Sequence, residues 1–139
     1  YDIKDLVKVL DIIKKNIHNL HNENFLIKGR RKSRKIFEKF FSLMMQFICS
    51  IILKKKFTEI NAQPVFLNTK QLDNLNLPDG LEMDLYLYYN CILNNSKIFR
   101  FDVTQDKRFH GTSSWNNSIF SKVKLSLRFL KHAIKIRNG

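Results

Sequence analysis

Apolar residues recur at Ile3, Leu6, Val7, Leu10, Ile13 and Ile17, spacings of three and four that put them on one face of a helix over 2–20. Phe25-Leu26-Ile27 is a short apolar run ending at Lys28-Gly29-Arg30-Arg31. Its length predicts a buried strand that delivers a basic loop at its C-terminal end. From Ser33 to Lys56 no Gly or Pro interrupts the chain, and an apolar stretch from Phe40 to Leu53 lies between Lys35 and Lys39 on one side and Lys54, Lys55 and Lys56 on the other. That pattern predicts one long helix. A bilayer span takes about 20 apolar residues, and this stretch is shorter and holds Ser42, Gln46 and Ser50, so no spanning helix is expected. Two placements fit it: in a membrane interface with lysines at the headgroups, or packed against a sheet in a water-soluble core. Pro64 to Leu67 reads as a strand, Asn68-Thr69 as the cap of a short helical turn, and Pro78-Asp79-Gly80 as a turn. Next come a helix rich in aromatics over 82–93 and a strand over 97–103. After a polar loop over 104–117 the chain ends in a basic amphipathic helix over 118–137. No repeat or linker divides the chain, and the order of elements predicts one α/β unit.

Polar groups break the apolar pattern where a plain core needs none, in Glu59-Ile60-Asn61-Ala62-Gln63-Pro64 and in Leu81-Glu82-Met83-Asp84-Leu85-Tyr86. A polar group inside a buried run costs roughly 1–3 kcal/mol unless it is hydrogen-bonded. Asn61, Gln63, Glu82 and Asp84 therefore each require a partner, either a ligand or one another.

The 139 residues suffice for one core, and the net charge of +13 points to anionic partners: nucleic acid, phosphorylated small molecules or an acidic membrane. A lysine- and asparagine-rich composition also follows from an AT-rich genome, so position carries more weight than count. Cys49 and Cys91 sit in apolar surroundings with no cysteine or histidine at ligand spacing, which predicts buried reduced thiols.

In order and spacing, Lys28-Gly29-Arg30-Arg31, the long amphipathic helix, Ile60-Asn61-Ala62-Gln63-Pro64, Glu82-Met83-Asp84-Leu85-Tyr86 and Lys107-Arg108-Phe109-His110-Gly111-Thr112-Ser113-Ser114-Trp115 together resemble the C-terminal part of glycosyltransferase family 2. The nearest branch is the group of dolichyl-phosphate mannosyltransferases and polyprenyl-phosphate glycosyltransferases. The resemblance implies residues 1–139 are the acceptor-side half of a GT-A-like, nucleotide-diphospho-sugar transferase fold carrying amphipathic membrane-surface helices. Tyr1-Asp2-Ile3-Lys4-Asp5 looks like the stretch that comes after the family's Asp-x-Asp motif. A divalent metal, Mg or Mn, is then expected in the full-length enzyme, with its ligands upstream of this chain and none within it. The implied reaction moves a sugar from a nucleotide-diphosphate donor to a polyprenyl or dolichyl phosphate, in a peripheral enzyme on the cytoplasmic face of a membrane. That is a place in cell-envelope glycan biosynthesis, with no nucleic-acid partner expected.

Such transfer develops negative charge on the leaving phosphate, which cations must meet. Arg30, with Arg31 and Arg34, is the expected group for donor or lipid phosphate; the alternative is a solvated basic turn. Arg108 and Ser113 suit a loop that closes on phosphate. Relatives often carry lysine where position 114 is serine, which removes one cation; His110 is a candidate substitute or simply exposed. Asp84 is the expected carboxylate at the acceptor and Glu82 the second choice. Two residues apart at a helix start, they point to different faces; Glu82 alternatively only favours the helix N-terminus. Asn61 and Gln63 have amides suited to sugar or acceptor hydroxyls, or to a backbone-satisfied strand entry. Tyr86, Tyr88 and Tyr89 fit core and surface packing better than a sugar platform. Two other classes stay open: a noncatalytic membrane-surface protein of the same fold, and a basic nucleic-acid-binding protein.

Overall fold

A computed structural model of the chain describes residues 3–20, 23–31, 36–73, 75–80, 82–103 and 119–138. Strand β1 runs Phe25–Arg31, β2 Val65–Leu67 and β3 Lys97–Val103. β1 is central: it pairs antiparallel with β2 from Leu26↔Leu67 to Lys28↔Val65, and parallel with β3 from Phe25↔Lys97 to Arg31↔Val103. The helices among the described residues are α1 (Ile3–Leu20), α2 (Ile36–Leu53), α3 (Met83–Leu93) and α4 (Ile119–Asn138). The result is a mixed α/β fold around a small mixed sheet, as the element order predicts.

Alternation along the central strand sorts its side chains between two cores. Leu26 joins Met45, Cys49 and Leu53 of α2, the connecting residues Phe57 and Ile60, Leu85, Tyr88 and Cys91 of α3, and Phe129 and Ala133 of α4. Ile27 joins Val9 of α1 with Phe101 and Val103 of β3 on the other face. Both cysteines are buried and free, as expected, and burial pushes the Cys49 thiol up to about 11.

Three expectations change. Lys28-Gly29-Arg30-Arg31 is not a loop but the second half of β1, because the backbone keeps its ladder to β3 through Arg31↔Val103. In α1 the buried positions are Asp5 and Val9, with Ile12 and Ile13 packed beside them, whereas Ile3, Leu6, Val7 and Leu10 are exposed. Lys8 helps set this rotation by donating from Nζ to Asp5 Oδ1 and to the Asp102 carbonyl, each at 2.8 Å. Helix α2 stops at Leu53 rather than Lys56, since Lys54 turns to the left-handed region at φ 52°.

The polar residues of α2 then secure the irregular segment beyond its C-terminus. Ser50 Oγ donates to the Gln46 carbonyl and accepts from Phe57 N, while Gln46 Oε1 accepts from Glu59 N at 3.1 Å. The expected cap is present, with Asn68 accepting from Lys70 N ahead of a 3₁₀ turn over Thr69–Leu72. From that turn Gln71 reaches the Phe25 carbonyl with its amide and accepts from Ser96 Oγ, which joins the start of β1 to the start of β3.

Gly29 permits a close approach of the 63–64 backbone to β1. A Cβ there would lie 2.6 Å from the Gln63 carbonyl oxygen, and Gly29 N donates to the Pro64 carbonyl at 3.0 Å. Gly29→Ala is expected to destabilise the fold by about 2 kcal/mol through overpacking, measured as a lower urea midpoint; an unchanged midpoint would mean that the 60–64 segment yields freely.

Candidate functional site

The segment that Gly29 admits carries the polar residues that interrupt the apolar pattern. Gln63 is placed where the chain enters β2, and its Nε2 donates to both oxygens of Asp84, at 2.8 and 2.9 Å. Asp84 lies in the first turn of α3 and is only 8% exposed. Below it on the central strand, Lys28 is 1% exposed, and its Nζ donates to the Ile60 carbonyl at 2.8 Å. One register step across the sheet, Arg100 pairs with Lys28, and its guanidinium donates to the Thr58 carbonyl and to the Tyr88 hydroxyl. The Tyr88 ring has both cations over it, each 5.5 Å from the centroid. Arg31 closes the group, 3.7 Å from Glu59.

Two charges of opposite sign are thus buried together. Burial lowers the Lys28 pKa to about 8, with Asp84 and Glu59 opposing the shift and Arg100 and Arg31 adding to it. Burial also raises Asp84, against the pull of Lys28, the Gln63 amide and Arg31. For both groups desolvation outweighs the attraction between them. Three buried polar atoms on these elements and on the 60–63 segment, Arg31 Nε, Asn61 Oδ1 and Arg100 Nη1, have no hydrogen-bond partner among the described residues.

The structure brings together three of the expected residues, Arg31, Gln63 and Asp84, and separates two, while Asn61 Oδ1 has no partner among the described residues. Arg30 is exposed at the strand end, where its Nε donates to Asp102 Oδ1 at 2.7 Å. Glu82 makes no capping hydrogen bond and turns to α4, where Arg128 Nε donates to its Oε1 at 2.7 Å and Nη2 lies 2.6 Å from the same oxygen in an ion pair. The two carboxylates therefore serve different partners, as their spacing predicts. Tyr88 is core, in keeping with the packing reading. Arg34, Arg108, Ser113 and His110 lie outside the described residues. Lys28 and Arg100 were not expected in the site. The signal for Lys28 is its place two residues from Leu26 on one face of an apolar strand, whereas Arg100 alternates with Phe99 and Phe101 and its pattern reads as an outward position.

Among the described residues no group of three or more His, Cys, Asp or Glu side chains is placed to hold a metal ion. A surface groove of about 410 Å³, lined by Phe120, Val123, Leu127, Lys124, Arg128 and Lys131, runs along α4 and includes neither Asp84 nor Gln63. No protein-family model matches this chain, and neither a curated protein nor a solved structure matches it.

The buried ammonium leaves a signature in stability. Below about pH 8 Lys28 is protonated whether the chain is folded or not. Between about 8 and 10.5 the unfolded chain keeps a proton that the folded chain has released, so stability rises with pH there. Urea unfolding from pH 7.5 to 10.5 should show a gain on the order of 3 kcal/mol attributable to Lys28. Lys28→Met should lack that gain; equal slopes in both proteins would place the ammonium in water.

Proposed function

We propose that this chain is the acceptor-side part of a GT-A-type glycosyltransferase that moves a sugar from a nucleotide-diphosphate donor to a polyprenyl or dolichyl phosphate at a membrane surface. The observation that carries this reading is Asp84. It is a buried carboxylate held on both oxygens by one amide, in the field of Arg31 and Lys28, at a helix start beside a parallel strand pair. Ligands of open α/β sheets bind beyond the carboxyl ends of their parallel strands, and that is where Arg30 and Arg31 are carried.

In this chemistry Arg31 and Arg30 offset charge on the leaving diphosphate. Asn61, with its unpartnered Oδ1, accepts from a sugar or acceptor hydroxyl. A lipid phosphate is already anionic and needs no strong base, so Asp84 orients the acceptor and balances the cations. The family resemblance puts the metal ligands upstream of this chain.

The helices support a lipid acceptor. Ile36, Phe40, Leu43, Met44, Phe47 and Ile51 form a continuous exposed stripe on α2, whose opposite side carries the buried Met45, Cys49 and Leu53. By length and composition alone α2 is apolar enough to cross a membrane, with a mean hydropathy of 1.7. A side committed to the core and to α4 favours the interfacial placement. On α4 the exposed Phe120, Val123 and Leu127 lie among Lys124, Arg128 and Lys131, each cation contributing about 1 kcal/mol at an anionic surface.

Transfer is measured with the natural gene product, from nucleotide sugars to polyprenyl phosphate in vesicles. Asp84→Asn should lower turnover by about 100-fold and Glu82→Gln by less than about 10-fold; the reverse order would move the role to Glu82, and no transfer in the wild type would sink the reading. Separately, Phe40→Glu with Phe47→Glu should weaken binding of this chain to phosphatidylglycerol vesicles by more than about tenfold, since each aromatic loses some 1.5–3 kcal/mol of burial. Unaltered vesicle binding would discard the α2 stripe, and salt-sensitive binding to random RNA would favour a nucleic-acid partner instead.

A further inference from the structure

Lys28 sits on the strand that has a neighbour on both sides, at a position where leucine or methionine would fill the same space with no desolvation. Packing alone therefore does not call for an ammonium group. Its one described hydrogen bond goes to the Ile60 carbonyl, in the backbone that continues through Asn61 to Gln63, and Gln63 in turn grips both oxygens of Asp84. One charge acts on Asp84 twice: through its field, and through the segment that carries the gripping amide.

We infer that Lys28 is a positioning residue whose buried ammonium group keeps the Asp84 carboxylate ionised and fixes the 60–63 segment that holds it. As a statement about transfer this rests on the proposed function; as a statement about Asp84 it does not. The charged groups that face the pair are Arg31 on the same strand, Arg100 on β3 and Glu59 before the 60–63 segment, with the Tyr88 ring below. Arg31 and Arg100 remain when Lys28 is removed, but neither donates to the Ile60 carbonyl. The inferred coupling is reciprocal, since two groups linked in equilibrium shift one another equally.

The test is a pair of titrations read by carbon-13 and nitrogen-15 resonances of the side chains. In Lys28→Met, Asp84 should gain about tenfold in proton affinity, moving its midpoint up by about one pH unit. In Asp84→Asn, the Lys28 amine should lose a similar factor and titrate lower. An Asp84 midpoint that stays in place in Lys28→Met overturns the inference, and so does an unmoved Lys28 in Asp84→Asn, which decides the matter alone if Lys28→Met does not fold. A merely structural lysine would move neither. In the natural gene product, the acid limb of the pH–rate profile should rise in Lys28→Met by the same amount as the Asp84 midpoint. Should the wild type show no transfer, the proposed function fails while the titrations still decide the role of Lys28.

Discussion

The arrangement depends on one buried charge in the middle of the sheet. An ammonium group removed from water is tolerated only with compensation, and the Ile60 carbonyl, the Tyr88 ring and the field of Asp84 supply it against the like charges of Arg100 and Arg31. Asp84 carries the converse cost, met by Gln63 and the same ammonium. The chain from 57 to 63 is consequently pinned at several points, by Ser50 and Gln46 of α2 at its start, by Arg100 and Lys28 along its carbonyls, and by Gly29 at its end. That segment has almost no regular structure of its own, yet it is held along its whole length.

A second constraint comes from how apolar surface is shared. Helix α2 buries Met45, Cys49 and Leu53 while leaving Phe40, Phe47 and Ile51 outside. A helix that is apolar on both sides satisfies two environments, and only one of them is this protein's core. The same holds for α4, where Phe129 and Ala133 are buried and Phe120 and Leu127 are not. Helices α2 and α4 pack together through the larger core, and the basic residues of α4 lie among its own outward apolar residues.

Most of the fold was legible because its elements announce themselves by period. Strand β3 and helices α2, α3 and α4 are set by alternation or by three-and-four spacing. The misread stretch was Lys28-Gly29-Arg30-Arg31, whose charge suggests a loop and whose place in the ladder is strand. Sequence pattern treats lysine as solvated, and it has no means of registering a carbonyl and an aromatic ring arriving from 60 and 88. The same blindness hid Arg100. In α1, apolar residues cover more than half the circumference, so periodicity names a wide face and tertiary contact chooses Val9 over Leu6 within it. The pairing of Gln63 with Asp84 is half-legible: each is a polar group that needs a partner, but nothing in the spacing joins them.

Gly29 illustrates why residue type alone misleads about function. A glycine beside arginines suggests backbone held open for a phosphate. In this fold the space where its Cβ would stand is taken by the Gln63 carbonyl oxygen. The missing side chain serves the chain's own approach, and through it the placement of the amide on Asp84. The site is thus assembled from the inside: a glycine admits a segment, a lysine fixes that segment, and the segment holds a carboxylate that would otherwise be too costly to bury.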